Sequence, residues 1–186
     1  MLDTKRLVVI RPGAGTFITE DTTETIVQAF SSLLSNDDGA NTARDVFEMR
    51  LILEPHIASL TSRRATDLDV RLMKEVLDAQ DAEIAAGGTG VEFDTEFHFA
   101  IARATKNSAL VAVTQAISDI LIQSRENSLL SPERSLISLQ SHRQILAAIE
   151  MRQHKEAEEA MHEHIAKIDR EVHNLSSGRL QQTSSD

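Results

Sequence analysis

The stretch that decides the fold is Val91–Asn107, VEFDTEFHFAIARATKN. Wound as an α-helix, it projects Asp94 and His98 from one face, because residues four apart are neighbours there; Phe93, Phe97, Ala100, Ile101 and Ala104 form the adjoining apolar stripe. A carboxylate and an imidazole are thereby held at the edge of a core. Two later stretches with helical spacing each set a histidine inside an apolar row: His142 with Leu139, Leu146 and Ile149, and His164 with Met161, Ile168 and Val172. One Asp and three His on inward faces can converge on a divalent ion, whereas a single His on an apolar face is more often a hydrogen-bonded core residue.

Composition limits the alternatives. The 186 residues suffice for one domain with a sizeable core, and 41% are hydrophobic, as in an ordinary folded protein. The chain has no Cys, which excludes disulfides, thiolate metal sites and a Cys nucleophile, so any metal must use His and carboxylate. A formal charge of -10 argues against a nonspecific nucleic-acid coat, which needs a basic face. No apolar run approaches the ~18 residues of a membrane span, and MLDTKRLVVI is too short in apolar residues for a signal peptide. A cytoplasmic chain without a membrane partner is expected.

Outward from the central stretch, the first twenty residues differ in kind from the rest. Arg6–Ile10 and Gly15–Ile18 are short β-rich runs flanking Arg11-Pro12-Gly13-Ala14, a combination that suits a tight hairpin. Helical patterns follow. Asp21-x-x-Glu24 offers a cap for a helix through Ile26, Phe30 and Leu33 or Leu34, and Asn36–Asn41 is a polar break. A second helix from near Thr42 carries the row Val46, Leu53, Ile57 and Leu60, and Arg50 sits within that row. A guanidinium there either snorkels to the surface, pairs with a carboxylate of the protein or faces a ligand anion. Pro55 lies inside the same helix.

Thr66-x-x-Asp69 caps the next helix, which Gly87–Gly90 ends; Lys106-Asn107-Ser108 closes the Asp94/His98 helix and opens its successor. Ser131-Pro132 starts the helix carrying His142, and a polar turn near Gln153-His154 precedes the last, which carries His164 and is expected to end around Asn174. His154, His162 and His173 fall off the apolar rows and are expected to face solvent. Ser176–Asp186, rich in Ser and Gln, is expected to be a disordered tail. The expected architecture is all-α, an antiparallel bundle of about seven helices over residues 21–175, preceded by a hairpin in residues 1–20.

Two segments resemble known families. Residues 6–18, RLVVIRPGAGTFI, resemble the wing of the winged helix-turn-helix domain of GntR-family bacterial transcription regulators, although this sequence lacks the first two helices of that module. From Thr42 to about Val172 the chain resembles the FCD domain, the effector-binding C-terminal domain of the FadR subfamily. The matching pieces are Phe47-Glu-x-Arg50 followed by Glu54, Asp94-x-x-x-His98, Asn107, His142-x-x-Ile145 with Ala147-Ala-Ile149, and Ala157-x-x-Ala160-Met161-x-x-His164-Ile165. The resemblance implies a divalent ion, whether zinc, nickel or manganese, held by Asp94, His98, His142 and His164. It also implies a small organic acid clamped by Arg50, a homodimer, and operator DNA bound only by a longer form with the complete winged helix. Lys5, Arg6 and Arg11 on the wing would touch a phosphate backbone at most, so the 186-residue chain is expected not to bind an operator specifically.

Two other classes fit parts of the pattern. A metalloenzyme acting on a small carboxylate would need a general base beside the metal, and Glu96 points away from the Asp94/His98 side of its helix. A paired Glu-x-x-His di-iron arrangement is lacking, with only Glu159-x-x-His162 present. A metal-free helical interaction module would use the histidines for packing. The expectation adopted is a sensor and not an enzyme.

Overall fold

The computed structural model of the chain describes residues 8–11, 15–18, 39–128 and 132–182, with side-chain surroundings over 44–118 and 133–170. Strands β1 (Val8–Arg11) and β2 (Gly15–Ile18) pair antiparallel, Val8 opposite Ile18 and Arg11 opposite Gly15. Six helices follow among the described residues: α1 (Gly39–Arg64), α2 (Asp67–Ala85), α3 (Val91–Ala104), α4 (Ser108–Ser128), α5 (Pro132–Glu150) and α6 (His154–Gln182). The expected count was about seven; the helix anticipated between Asp21 and Leu34 lies outside the described residues. Lys5 and Arg6 lie outside them as well.

Local chemistry sets the helix ends. Thr66 and Asp69 cap α2 reciprocally: the Asp69 amide donates to Thr66 Oγ1 at 3.2 Å, and the Thr66 amide donates to the Asp69 carboxylate at 2.7 Å. That carboxylate also receives Lys106 Nζ at 2.7 Å, tying the start of α2 to the turn that ends α3. Lys106 adopts a left-handed φ of 57°, and Asn107 Oδ1 accepts the amide of Ala109 at 3.0 Å to open α4. Gly90, with φ 68°, leads into α3; a Cβ there would sit 3.0 Å from Gln80 Cγ, so glycine permits both the turn and the close approach of Gln80.

Two boundaries depart from expectation. Helix α1 begins at Gly39 rather than near Thr42, absorbing part of the polar break, since propensity is a weak prior at helix ends. Helix α6 continues to Gln182, so Ser176–Gln182 is helical where Ser and Gln content suggested a disordered tail. A helix already nucleated adds residues at one hydrogen bond each, which favours extension through polar sequence.

Helix α1 packs chiefly on α6; α5 packs on α6 and α2, and α3 on α2 and α4. The core collects Val46, Phe47 and Ile57 from α1, Met73 and Leu77 from α2, Phe97 and Ile101 from α3, Ile117 from α4, Leu139, Ile145 and Ile149 from α5, and Met161 and Ile165 from α6. Arg50, Glu54, Gln80, Asp94, His98, His142 and His164 are buried among them. No described helix is long and apolar enough to cross a membrane.

Candidate metal centre

Helical periodicity delivers the donors. Asp94 and His98 lie on the buried face of α3 with Phe97 and Ile101; His142 lies with Leu139, Ile145 and Ile149 on α5; His164 lies beside Met161 and Ile165 on α6. Because α3, α5 and α6 turn these faces to one core, the three imidazoles each place a ligand atom within 4.8 Å of the others. His142 Nε2 is 3.2 Å from His164 Nε2 and 3.5 Å from Asp94 Oδ1. Asp94 Oδ1 also accepts Ser138 Oγ at 2.7 Å.

Outer partners orient the rings. Gln80 Nε2 donates to the Gly90 carbonyl at 3.4 Å, which leaves Gln80 Oε1 to accept from His142 Nδ1 at 3.3 Å. A proton on Nδ1 places the lone pair on Nε2, the nitrogen facing His164 and Asp94. His98 Nδ1 stands 2.7 Å from Glu54 Oε2, an electrostatic contact in which the ring N–H is not aligned as a hydrogen-bond donor. His98 Nε2 is buried with no hydrogen-bond partner. Gln80→Leu is expected to weaken metal binding about 10–100-fold, the usual effect of removing such a partner, as read by competition with a chelator.

Electrostatics keep the donors suited to a cation. Burial, reinforced by the neighbouring His142 and His98, holds His164 well below the ordinary imidazole range; it is therefore neutral, with a lone pair available. Burial alone would raise the Glu54 carboxyl, but the Arg50 guanidinium and His98 outweigh it and hold the group well below its usual value. Arg50 Nε donates to Glu54 Oε1 at 2.5 Å and Nη2 to Oε2 at 3.4 Å, whereas Arg50 Nη1 is buried with no hydrogen-bond partner.

These two shifts fix the expected pH response of chelator-treated protein. Below the ordinary His value of 6.5, the unfolded chain takes up a proton at His164 that the folded chain resists, so stability falls as pH drops through that window. Below the ordinary Glu value of 4.5, the same logic removes the contribution of Glu54. Urea midpoints measured between about pH 7.5 and 4 should therefore decline in two stages, and His164→Leu should shrink the first.

Of the four residues assigned as ligands from the sequence, His98, His142 and His164 cluster, Asp94 lies 3.5 Å from His142 Nε2, and Arg50 is buried in the same core. Arg11 ends β1. His162 and His56 are exposed, His56 paired with Glu158 at 3.0 Å. His154, expected to face solvent, is half-buried at the start of α6, its Nδ1 2.7 Å from Ser62 Oγ. Glu96 pairs with Arg103 on the surface. The sequence reading gave no role to Gln80, Ser138 or Glu54. Gln80 interrupts the row Met73, Leu77, Ile84, a signal of the kind that drew attention to Arg50, and Glu54 stands one helical turn after Arg50.

The family model of the FCD domain matches residues 45–167. The chain belongs to the FCD-domain family. The proteins similar to this FCD domain are transcription regulators, not enzymes. It is 31% identical over 179 residues to the Uxu operon transcriptional regulator of Escherichia coli K12, a match covering 90% of this chain and 67% of that protein. It is 27% identical over 170 residues to the HTH-type transcriptional regulator LutR of Bacillus subtilis, covering 88% and 76%. The solved structure of Streptococcus agalactiae GntR matches with a TM-score of 0.67 at 29% identity, over 90% of this chain and 76% of that one. This FCD domain is thus of the GntR-regulator type, and it spans only part of the length of these relatives.

Proposed function

We propose that the chain is the ligand-sensing part of a FadR-subfamily GntR regulator acting in the cytoplasm, with a divalent metal held by Asp94, His98, His142 and His164. The observation that carries this is the convergence of three buried imidazoles, with Asp94 3.5 Å from His142 and His98 Nε2 left without a partner. Leaving a buried polar nitrogen unsatisfied costs on the order of 1–3 kcal/mol, which simple packing would not recover and a cation would. Three imidazole nitrogens and a carboxylate oxygen suit zinc, nickel or manganese. When bound, such an ion supplies a Lewis-acid centre able to take a carboxylate oxygen of a small organic acid. Arg50 Nη1, buried and unpartnered, is the group that would meet the same acid's charge.

Signalling then follows from linkage: an effector changes DNA affinity only as far as it binds two arrangements of the protein differently. The β1–β2 hairpin would serve as the wing of a winged helix, and two such heads in a homodimer would read half-sites at fixed helical spacing. Lys5, Arg6 and Arg11 on that wing would touch the phosphate backbone, so their contribution to a gel shift should be the same on operator and unrelated DNA.

Elemental analysis of the purified chain, followed by thermal shift with small carboxylates with and without chelator, tests the reading. Near-stoichiometric metal with carboxylate stabilisation that chelator abolishes supports it. An absence of metal and of chelator sensitivity would leave the histidines as packing residues and the proposal wrong.

A further inference from the structure

Glu54 stands where the two halves of the proposed site meet. Its carboxylate is 4% exposed and spends both oxygens inward, Oε1 on Arg50 Nε and Oε2 near both Arg50 Nη2 and His98 Nδ1. It is thus a single buried anion shared between a permanent cation and one of the four candidate ligands. A carboxylate beside Nδ1 favours the ring form with its proton there and its lone pair on Nε2. Arg50 holds the same carboxylate through Nε and Nη2, so the group that orients His98 is shared with the residue that would receive an effector carboxylate.

We propose that Glu54 is a positioning residue that sets His98 for metal binding and transmits the occupancy of Arg50 to that ligand; this rests on the metal-and-carboxylate reading above. An anion drawing on Arg50 leaves the Glu54 carboxylate less compensated there and leaning more on His98 Nδ1, which holds the ring with its Nε2 lone pair free for the ion. Carboxylate and metal should therefore strengthen each other's binding reciprocally. Glu54 does not touch the ion in this scheme. It acts through His98.

Two measurements test this. Histidine ring 15N–1H correlation spectra of chelator-treated protein, with His98 assigned by His98→Gln, should show the His98 proton on Nδ1; a proton on Nε2 alone overturns the proposal without any substitution at Glu54. Titration with Co²⁺, followed by its visible spectrum with and without acetate, gives the second readout. Glu54→Gln should fold, by circular dichroism, and bind Co²⁺ about 10–100-fold more weakly. Its acetate-induced tightening should also be severalfold smaller than in the unsubstituted protein, and Glu54→Asp, which keeps the charge, should restore part of both. Unchanged affinity and acetate response in Glu54→Gln overturn the proposal while leaving the metal site standing. An unsubstituted chain that takes up no Co²⁺ sinks the metal reading itself, and this inference with it. If Glu54→Gln does not fold, Glu54→Asp decides: unsubstituted Co²⁺ affinity together with a His98 proton on Nε2 rejects the role.

Discussion

His142→Ala protein is expected to purify with metal at background level, where the unsubstituted chain should carry close to one ion, and to show the same melting temperature with and without chelator. His142 is fully buried, its Nδ1 held by Gln80 and its Nε2 directed at His164 and Asp94. Removing it takes away one of the four proposed donors and the ring that faces both His164 and Asp94. A ligand present at a hundred times its dissociation constant stabilises by about 2.7 kcal/mol, and for a chain of this size each kcal/mol moves the melting temperature by about 2–4 °C. The chelator-sensitive part of the unsubstituted chain's stability should therefore be about 5–11 °C, all of it lost in the variant. Truncation also opens a cavity, so the comparison must be made within each protein, chelated against loaded. His142→Leu refines the test: if the histidines serve only packing, it should match or exceed the unsubstituted chain; if they hold a metal, it should gain nothing from added ion.

Glu54→Leu is expected to cost about 3–5 kcal/mol in chelator, because it strands a guanidinium in the core. Arg50 is 1% exposed, and two of its three nitrogens lean on Glu54 while the third has no partner. The double variant Arg50→Met with Glu54→Leu should recover most of that loss or surpass the parent, since a well-packed apolar pair avoids desolvating two charges. Urea unfolding of the three proteins measures both terms. A loss below about 1 kcal/mol in Glu54→Leu would mean that Arg50 escapes to water, contrary to its burial here. Recovery of stability without recovery of carboxylate binding in the double variant would show the pair retained for ligand recognition rather than for folding.

The sequence by itself determined which residues share a face. The four-residue interval between Asp94 and His98, and the apolar rows around His142 and His164, follow from helical period alone; so does the placement of Arg50 in a buried stripe and of Thr66 and Asp69 at a helix start. Those patterns also carried the resemblance to FCD domains, because ligand-type residues in an apolar row are costly unless something satisfies them. Tertiary structure alone decided what lies across from each face. That Glu54 reaches His98, that Gln80 fixes the ring of His142 and that Ser138 holds Asp94 depend on how α1, α2, α3 and α5 are stacked, and contacts between helices leave no periodic trace in either partner's own sequence. The extension of α6 through Gln182 was hidden for a related reason: composition there favours disorder, while a helix already anchored against α1 and α5 propagates through it.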